Sequence, residues 1–574
     1  MKRARKRRGE AQRRSPSPEA QARAGLLAGK WDRHAVAAIA ALVLVAYFPA
    51  LGAGFTNWDD DRFFTANPLF QGPVRAYVVA ALTRVQFQAY HPLHLLSYLP
   101  DRLLWPANAS GFHALNLALF VAALALGYFL LRRTVSVFPA LGAMLLVGLA
   151  PLAVESVAWV VGRKDVLALL LVLATLLVED REPRTRASAI AAWGLAILAC
   201  LAKTSAVVIP FLVFAWWHFV RQMSFRDTLR RCLPFVAIAC LFALPVPFIW
   251  RHYHMIPPGR PLPAALDVLG TIGVYAGRVL LPVNLSPVYP VMAPGQVIAA
   301  LAVAAALLAL GGSWRILPAA ARFATVGFVG CLLPVANITP LYFRFADRYA
   351  LLALGALAWP VARLLAWPRA RKLMMVLAPV AIATELWATM QLVPAWQDSL
   401  ALWQRATAVQ PRAVYGHLKL GETLRGQKRY REAAQSYIQA GGVEPGGIKG
   451  PAGLLRTLGE EAEAEGRLPA GTCDQWEQVI ADPAFDAKKM STLIEVLDHK
   501  CRRCAEAMLW LGIRMYPQPD AALVSFAKRE LDRDRPDMAM IYVTEVRDPK
   551  AEGLAEITRR LGEGSPRGTP SPQQ

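Results

Sequence analysis

The sequence is poor in charge. Only 18% of its 574 residues are Asp, Glu, Lys or Arg, against 55% hydrophobic, and its mean hydropathy is +0.33. Soluble domains carry about 25% charged residues, so a single soluble enzyme is excluded. Acidic groups are the scarcer sign, 41 against 63 basic, for a net charge of +22. That excess does not point to nucleic acid, because Lys and Arg collect in the N-terminal tail and in short gaps between apolar blocks, where they orient a membrane protein. No P-loop, Rossmann glycine signature, HExxH or nucleophile elbow stands in credible context. Cysteine is sparse, with 7 in the chain. Cys200, Cys232, Cys240 and Cys331 fall in apolar stretches and read as packing residues.

What is abundant is apolar sequence in blocks of roughly 20 residues, each long enough to cross about 30 Å of hydrocarbon. The run His34–Ala53 is too long for the apolar core of a signal peptide and reads as an uncleaved anchor. Before it, residues 1–33, with KRARKRRG and RSPSPEA, predict a disordered basic tail drawn to anionic lipid. Further spans are expected near 112–131, 134–151, 165–178, 188–203, 204–220, 232–250, 296–312, 317–336, 349–368 and 373–393, about eleven in all with the anchor. With the N-terminus cytoplasmic, the basic gaps at Arg132-Arg133, Arg181–Arg186, Arg221–Arg231, Arg315 and Arg369–Lys372 all fall inside. Segment 268–283 would upset that order as a span, and is expected to be an interfacial or re-entrant helix on the outer face. The predicted class is all-α: a multi-pass bundle over 34–393 in a bacterial inner membrane, then an extracytoplasmic helical domain over 394–555 and a disordered tail over 556–574.

Residues 414–447 follow the 34-residue tetratricopeptide pattern, with Leu420, Gly421, Leu424, Ala433, Tyr437, Ala440 and Pro445 in register. Trp403, Ala406 and Pro411 repeat the second-helix spacing upstream, and 505–517 resembles a degenerate repeat. Such arrays bind protein partners, or else act as a spacer that caps the bundle. Cys473, Cys501 and Cys504 are the disulfide candidates of this tail, and His499 beside them leaves a Cys3His zinc site open.

Polar chemistry concentrates in the outer segments 54–111, 152–164 and 251–295. GFTNWDDDRFF sets Asp59, Asp60 and Asp61 directly after the anchor, bracketed by Trp58, Phe63 and Phe64, which would hold the loop at the interface. A merely solvated acidic loop is the plain alternative. ESVAWVVGRKDV compresses Glu155, Arg163, Lys164 and Asp165 between two apolar blocks, and ionisable groups so placed suggest function, or helix-end anchoring. Lys203 in LAKTSAVVIP either snorkels or holds a phosphate. His91, His94, Asp101, Arg102 and His113 lie near one another in YHPLHLLSYLPDRLLW and GFHALN, with a metal role for His91 or His94 open beside a structural one. Arg344, Asp347 and Arg348 open a late span in FRFADRYALL.

Taken in order, NWDDDRF, HPLHLLSYLPDRLLW with GFHALNL, ESVAWVVGRKDVL, LAKTSAVVIP, GRVLLPVNLSPVYP and FADRYALL, followed by tetratricopeptide-like sequence, resemble the bacterial relatives of the transmembrane and tetratricopeptide-repeat O-mannosyltransferases, of the GT-C superfamily. The resemblance spans about 35–450. It implies a glycosyltransferase that takes a sugar from a polyprenyl-phosphate donor to a protein or glycan hydroxyl at the outer face. It further implies that the acidic pair Asp59 and Asp60 serves the reaction; Asp59 is expected as base and Asp60 as orienter or metal ligand, with the reverse assignment left open. Lys203-Thr204 stands where the family has Lys-Pro, and the repeat array is short. Arg163, Lys164, Lys203 and Arg348 are the expected holders of the donor phosphate, supported by Glu155, Asp165, His91, His94 and Asp347. A divalent cation, Mg or Mn, suits neighbouring carboxylates, and the resemblance leaves its presence open because family usage varies. The competing class is a non-catalytic membrane scaffold that works through its helical tail.

Overall fold

The computed structural model describes residues 18–106, 108–253, 263–290, 295–443, 449–450, 453–454, 457, 520–532, 536–544, 546 and 553–563. Cys473, Cys501, Cys504, His499, Pro445 and the expected repeat at 505–517 lie outside them. Among the described residues the regular structure is helical, with no strand longer than the isolated bridge Gln86–Ala89. The chain divides into a unit of Met1–Arg405 and a unit of Ala406–Gln574.

The first unit opens with α1 (Pro18–Tyr47), which begins well inside the segment expected to be a disordered tail. A short helix, α2 (Val74–Thr83), precedes α3 (Ala109–Arg132), whose start Asn108 caps by accepting from the Ser110 amide at 2.9 Å. Next come α4 (Val137–Gly148), α5 (Arg163–Glu179) and α6 (Arg186–Ala202), the last started by a reciprocal Thr185–Ser188 capping box. Then follow α7 (Phe225–Ala243), α8 (Ala264–Leu280), α9 (Gln296–Ser313), α10 (Ala319–Leu332), α11 (Leu351–Leu365) and α12 (Arg371–Leu392).

Six helices among the described residues are long and apolar enough to cross a membrane: Gly29–Gly52, Ala109–Arg132, Phe225–His252, Gln296–Ser313, Asp347–Leu365 and Pro368–Trp396. A seventh is formed if Val137–Gly148 and Pro151–Ala158, bent by 54°, count as one broken span. The expected spans at 188–203, 204–220 and 317–336 fold as shorter apolar helices. Apolar residues sort by surroundings. Leu241, Phe248, Ile298, Leu308, Val376 and Trp387 point outward from their helices, as lipid-facing side chains do, whereas Val166, Ala168, Leu169 and Val172 of α5 are buried. Helix α5 is thus the inner post of the bundle, packed on α3, α6 and α11.

Segment 264–280 is a full helix lying along α9. Gly270 and Gly273 make that approach possible, since a Cβ at either would stand within 3.0 Å of the Gln296 or Ala299 backbone. Cys200, Cys232 and Cys331 are buried packing residues as expected, but Cys240 is exposed on the outer surface of α7.

The boundary between the units falls later than the last span. Residues 394–405 stay with the bundle because they fasten the loop after α1: the Gly54 amide donates to the Gln397 carbonyl at 2.8 Å, the Asn57 amide to Ser399 Oγ at 2.9 Å, and the Trp403 indole to Asn57 Oδ1 at 2.5 Å. Helix α13 (Ser399–Val409) carries two of these groups. In the second unit α14 (Val414–Gly426) pairs with α15 (Tyr430–Val443). Gly421 lies against the Tyr437 ring, where a Cβ would come within 2.8 Å, and Leu424, Ala433 and Ala440 fill the seam. Helix Leu554–Glu563 occupies part of the tail expected to be unstructured.

Candidate functional site

The site is built on breaks between helices. After α4 the chain makes a short helix, Val154–Ala158, and turns through Gly162 into α5. A Cβ on Gly162 would stand 2.5 Å from the Ser156 carbonyl oxygen and 2.9 Å from that of Glu155, so only glycine fits this turn. The turn delivers Arg163, Lys164 and Asp165 on the first turn of α5. At the end of α6 the backbone extends at Lys203 (φ −157°, ψ 126°), which releases that side chain from the helix. Arg348 lies in a helical turn leading into α11.

An aromatic floor joins these pieces. Trp58 meets Trp159, Phe343 and Trp403 with ring centroids at 6.1, 5.0 and 5.3 Å. Over that floor, Arg348 stands 5.7 Å from the Trp58 ring and 5.5 Å from the Trp159 ring, and Lys164 stands 5.2 Å from Trp159. Indole faces attract cations without neutralising them, so positive charge gathers here with fewer carboxylates than ion pairing would need. Asp59 faces the same group, with Lys164, Arg62 and Arg348 as its positive electrostatic neighbours. The motifs around 58, 159, 164 and 348 therefore converge.

The two acidic residues occupy different environments. Asp60 is 1% exposed, and its Oδ2 accepts from the Thr56 amide at 2.8 Å and the Thr56 hydroxyl at 2.9 Å. Burial pushes its carboxyl up to about 7 despite those hydrogen bonds. The Asp59 side chain is 37% exposed and touches Arg62 at 3.6 Å. Partial desolvation raises its carboxyl above the ordinary range, and Lys164, Arg62 and Arg348 pull it back. Asp59 is thus the carboxylate open to a reactant, while Asp60 is fixed to its own loop.

The four expected phosphate holders separate into three kinds. Arg163 is fully buried and gives every N–H to the protein: Nε to Asn116 Oδ1 at 2.5 Å, Nη1 to the Ser97 carbonyl and Asp101, and Nη2 to Asp101 Oδ1 at 2.8 Å and the Phe112 carbonyl at 3.0 Å. With five donors satisfied it has none for a ligand, and its role is to clamp Ser97, Asp101 and Phe112 to α5. Arg348 and Lys203 each hold one carboxylate. Glu155 grips both the side chain of Arg348 and its amide, the latter at 2.8 Å. Lys203 pairs with Asp165 and lies 5.7 Å from the Tyr349 ring. Lys164 alone of the four makes no hydrogen bond or ion pair among the described residues.

The supporting residues are mostly fasteners. His91 Nε2 accepts from the Thr204 amide at 3.1 Å and lies 2.9 Å from its hydroxyl, so it is the unprotonated ring nitrogen. Burial and the nearby Lys164 and Lys203 depress this imidazole to about 3. His94 meets the Tyr98 hydroxyl at 2.8 Å, and Tyr98 donates to the Val160 carbonyl. Among the described residues neither histidine belongs to a group of three His, Cys, Asp or Glu side chains that could hold a metal. Asp347 accepts from the Tyr289 hydroxyl at 2.6 Å and the Ser286 amide at 3.1 Å, tying segment 278–289 to the site through Arg278, 3.8 Å away.

Among the described residues the carboxylates make no ready-made divalent-cation cluster, although Asp60 Oδ1 and Asp61 Oδ1 are buried without a hydrogen-bond partner. Hydrogen-bond donors already face Asp60 Oδ2. Residues that sequence reasoning left out are Thr56, Trp159, Asn116, Arg278 and Tyr349. Trp159 and Tyr349 do sit within quoted motifs, next to the charged residues that drew attention. No protein-family model matches this chain, and a search of the curated proteins finds no match.

Proposed function

We propose that this chain is an integral-membrane glycosyltransferase that moves a sugar from a polyprenyl-phosphate donor to a protein or glycan hydroxyl at the extracytoplasmic face. The observation that carries the reading is the meeting of one open carboxylate, Asp59, with an unpaired ammonium, Lys164, and the guanidinium of Arg348 over an aromatic floor. In the reaction the acceptor oxygen attacks the anomeric carbon and its proton passes to Asp59. The bond from that carbon to the phosphate oxygen breaks, and the lipid phosphate leaves with the electron pair, held by Lys164 first and by Lys203 and Arg348 behind it. A single displacement inverts the anomeric centre.

The topology that suits this chemistry has about eleven spans, with α5, α6 and the 204–220 and 319–335 segments crossing inside a shell of longer helices. It places the N-terminus in the cytoplasm and the tetratricopeptide-like helices outside, where they can meet a protein partner. A non-catalytic scaffold draws its support from the ion pairs Glu155–Arg348 and Asp165–Lys203, which are complete without a ligand. The two readings part on one experiment. Purified protein in lipid nanodiscs is supplied with polyprenyl-phosphate sugars and acceptor hydroxyls, and transfer that is lost in Asp59→Asn supports the enzyme. No transfer with any donor, together with unchanged partner capture by the tail in Asp59→Asn, supports the scaffold.

A further inference from the structure

At the end of α5 away from Lys164, an open cavity of about 970 Å³ lies among Arg133, Asp180, Arg181, Thr185, Trp217 and Arg221. Helix α5 has 17 residues, so at 1.5 Å per residue this cavity stands roughly 25 Å from the Asp59 group. Its size falls in the range of about 300–1,000 Å³ usual for small-ligand sites. It belongs to none of the chemistry described above.

Its charges are arranged unevenly. Asp180 is buried and fully engaged: Oδ1 accepts from the Trp216 indole at 2.6 Å and Arg221 Nε at 2.7 Å, and Oδ2 accepts from Arg221 Nη2 at 2.5 Å and Arg133 Nη1 at 3.0 Å. Burial pushes its carboxyl up, but Arg221, Trp216 and Arg133 more than offset that and hold it below the ordinary carboxylate value, so it stays ionised. The carboxylate fixes two guanidinium groups in place while leaving Arg221 Nη1 and Arg133 Nε and Nη2 without an acceptor among the described residues. The Arg181 side chain makes no hydrogen bond or ion pair among the described residues. Glu182, on the rim, is the one further acidic group of the lining. Three guanidinium groups from three different chain segments, two of them pre-set and one free, match a tetrahedral oxyanion that needs several donors from several directions. Ala187, Ala191 and Trp217 supply an apolar wall beside them.

We propose that this cavity binds a phosphate ester, carried either by an anionic lipid headgroup or by a soluble phosphate compound. The proposal does not depend on sugar transfer. For the test, the full chain is placed in nanodiscs of phosphatidylcholine with or without phosphatidylglycerol and followed by thermal unfolding and native mass spectrometry. The detergent-solubilised chain is titrated separately with inorganic phosphate against chloride of equal ionic strength. Phosphatidylglycerol adducts and a raised Tm in the first arm identify the lipid source. Saturable stabilisation by inorganic phosphate, with no phosphatidylglycerol preference, identifies the soluble one. In either case Arg181→Gln, which breaks no contact within the protein, weakens binding roughly fivefold, as loss of one surface guanidinium should, and Arg181→Lys restores most of it. Absence of saturable binding in both arms, or wild-type binding by Arg181→Gln, overturns the proposal.

Discussion

Arg163 and Lys164 are neighbours in sequence with opposite surroundings, and replacing each by Met separates scaffold from chemistry. Lys164→Met keeps the aliphatic stem against Trp159 and removes only the ammonium. The structural loss is one cation–π contact, about 1–2 kcal/mol at a half-buried site, and the protein should remain folded. A hydrogen bond to a charged group contributes about 1.5–3 kcal/mol. If Lys164 holds the departing phosphate, kcat/KM for the lipid-phosphate sugar should therefore fall roughly 10- to 150-fold. Arg163→Met instead leaves Asp101 buried without its partner, since both Nη atoms bond that carboxylate. Breaking a buried pair in this way costs about 3–5 kcal/mol, so the protein should be lost from the membrane fraction or unfold at much lower temperature. The assay pairs size-exclusion and thermal unfolding in detergent with initial transfer rates against donor concentration. A folded Lys164→Met enzyme with wild-type donor kinetics would refute the assignment of Lys164. A stable Arg163→Met protein that has lost only donor saturation would show that the saturated guanidinium was misjudged.

Other expectations follow from the same geometry. Asp59→Asn should lower transfer about 10²- to 10⁴-fold with normal abundance, and unchanged single-turnover rates in that variant would remove Asp59 as base. Because a base works only when ionised and the Asp59 carboxyl is raised, the wild-type rate should climb as pH rises through its titration, whereas a flat profile on the acid side counts against it. Asp60 holds its proton to about pH 7 when folded, against an ordinary carboxyl value of 3.8. The folded state then binds more protons than the unfolded between those values, so stability should fall as pH rises from about 4 to 7, and Asp60→Asn should flatten that fall in thermal melts. Gly162→Ala should destabilise by about 1–3 kcal/mol through its clash with the Ser156 carbonyl, and an unchanged melting temperature would mean that the turn relaxes freely. Cysteines placed at Lys372 and Gly421 should label from opposite sides of the membrane, with 421 accessible in intact spheroplasts, and the reverse pattern would move every site residue to the wrong face.

Much of the helical class was legible because apolar length is a one-dimensional property. The blocks at 112–131, 296–312 and 373–393 correspond to helices α3, α9 and α12. Positions set by partners far along the chain were not legible. Arg163 and Lys164 look alike in sequence, and what distinguishes them is that Asp101, Asn116 and Ser97 surround one and Trp159 the other. The sequence likewise placed the end of the bundle where hydropathy drops, at 393, and could not report that Asn57 draws 394–405 back against it. Which of Asp59 and Asp60 turns inward was not legible either, because it rests on the amide and hydroxyl of Thr56, whose side chain carried no distinguishing signal.

The fastening of Asn57 by Ser399 and Trp403 has a consequence for biosynthesis. The partners are 342 and 346 positions apart in the chain, and synthesis proceeds from the N-terminus. While the ribosome is still making the helices between them, the loop that bears Asp59 lacks its anchor. It reaches its final shape only when residue 403 has been synthesised, after nearly all of the helices of the bundle. An unfinished chain stalled before that point therefore carries the carboxylates but not their setting.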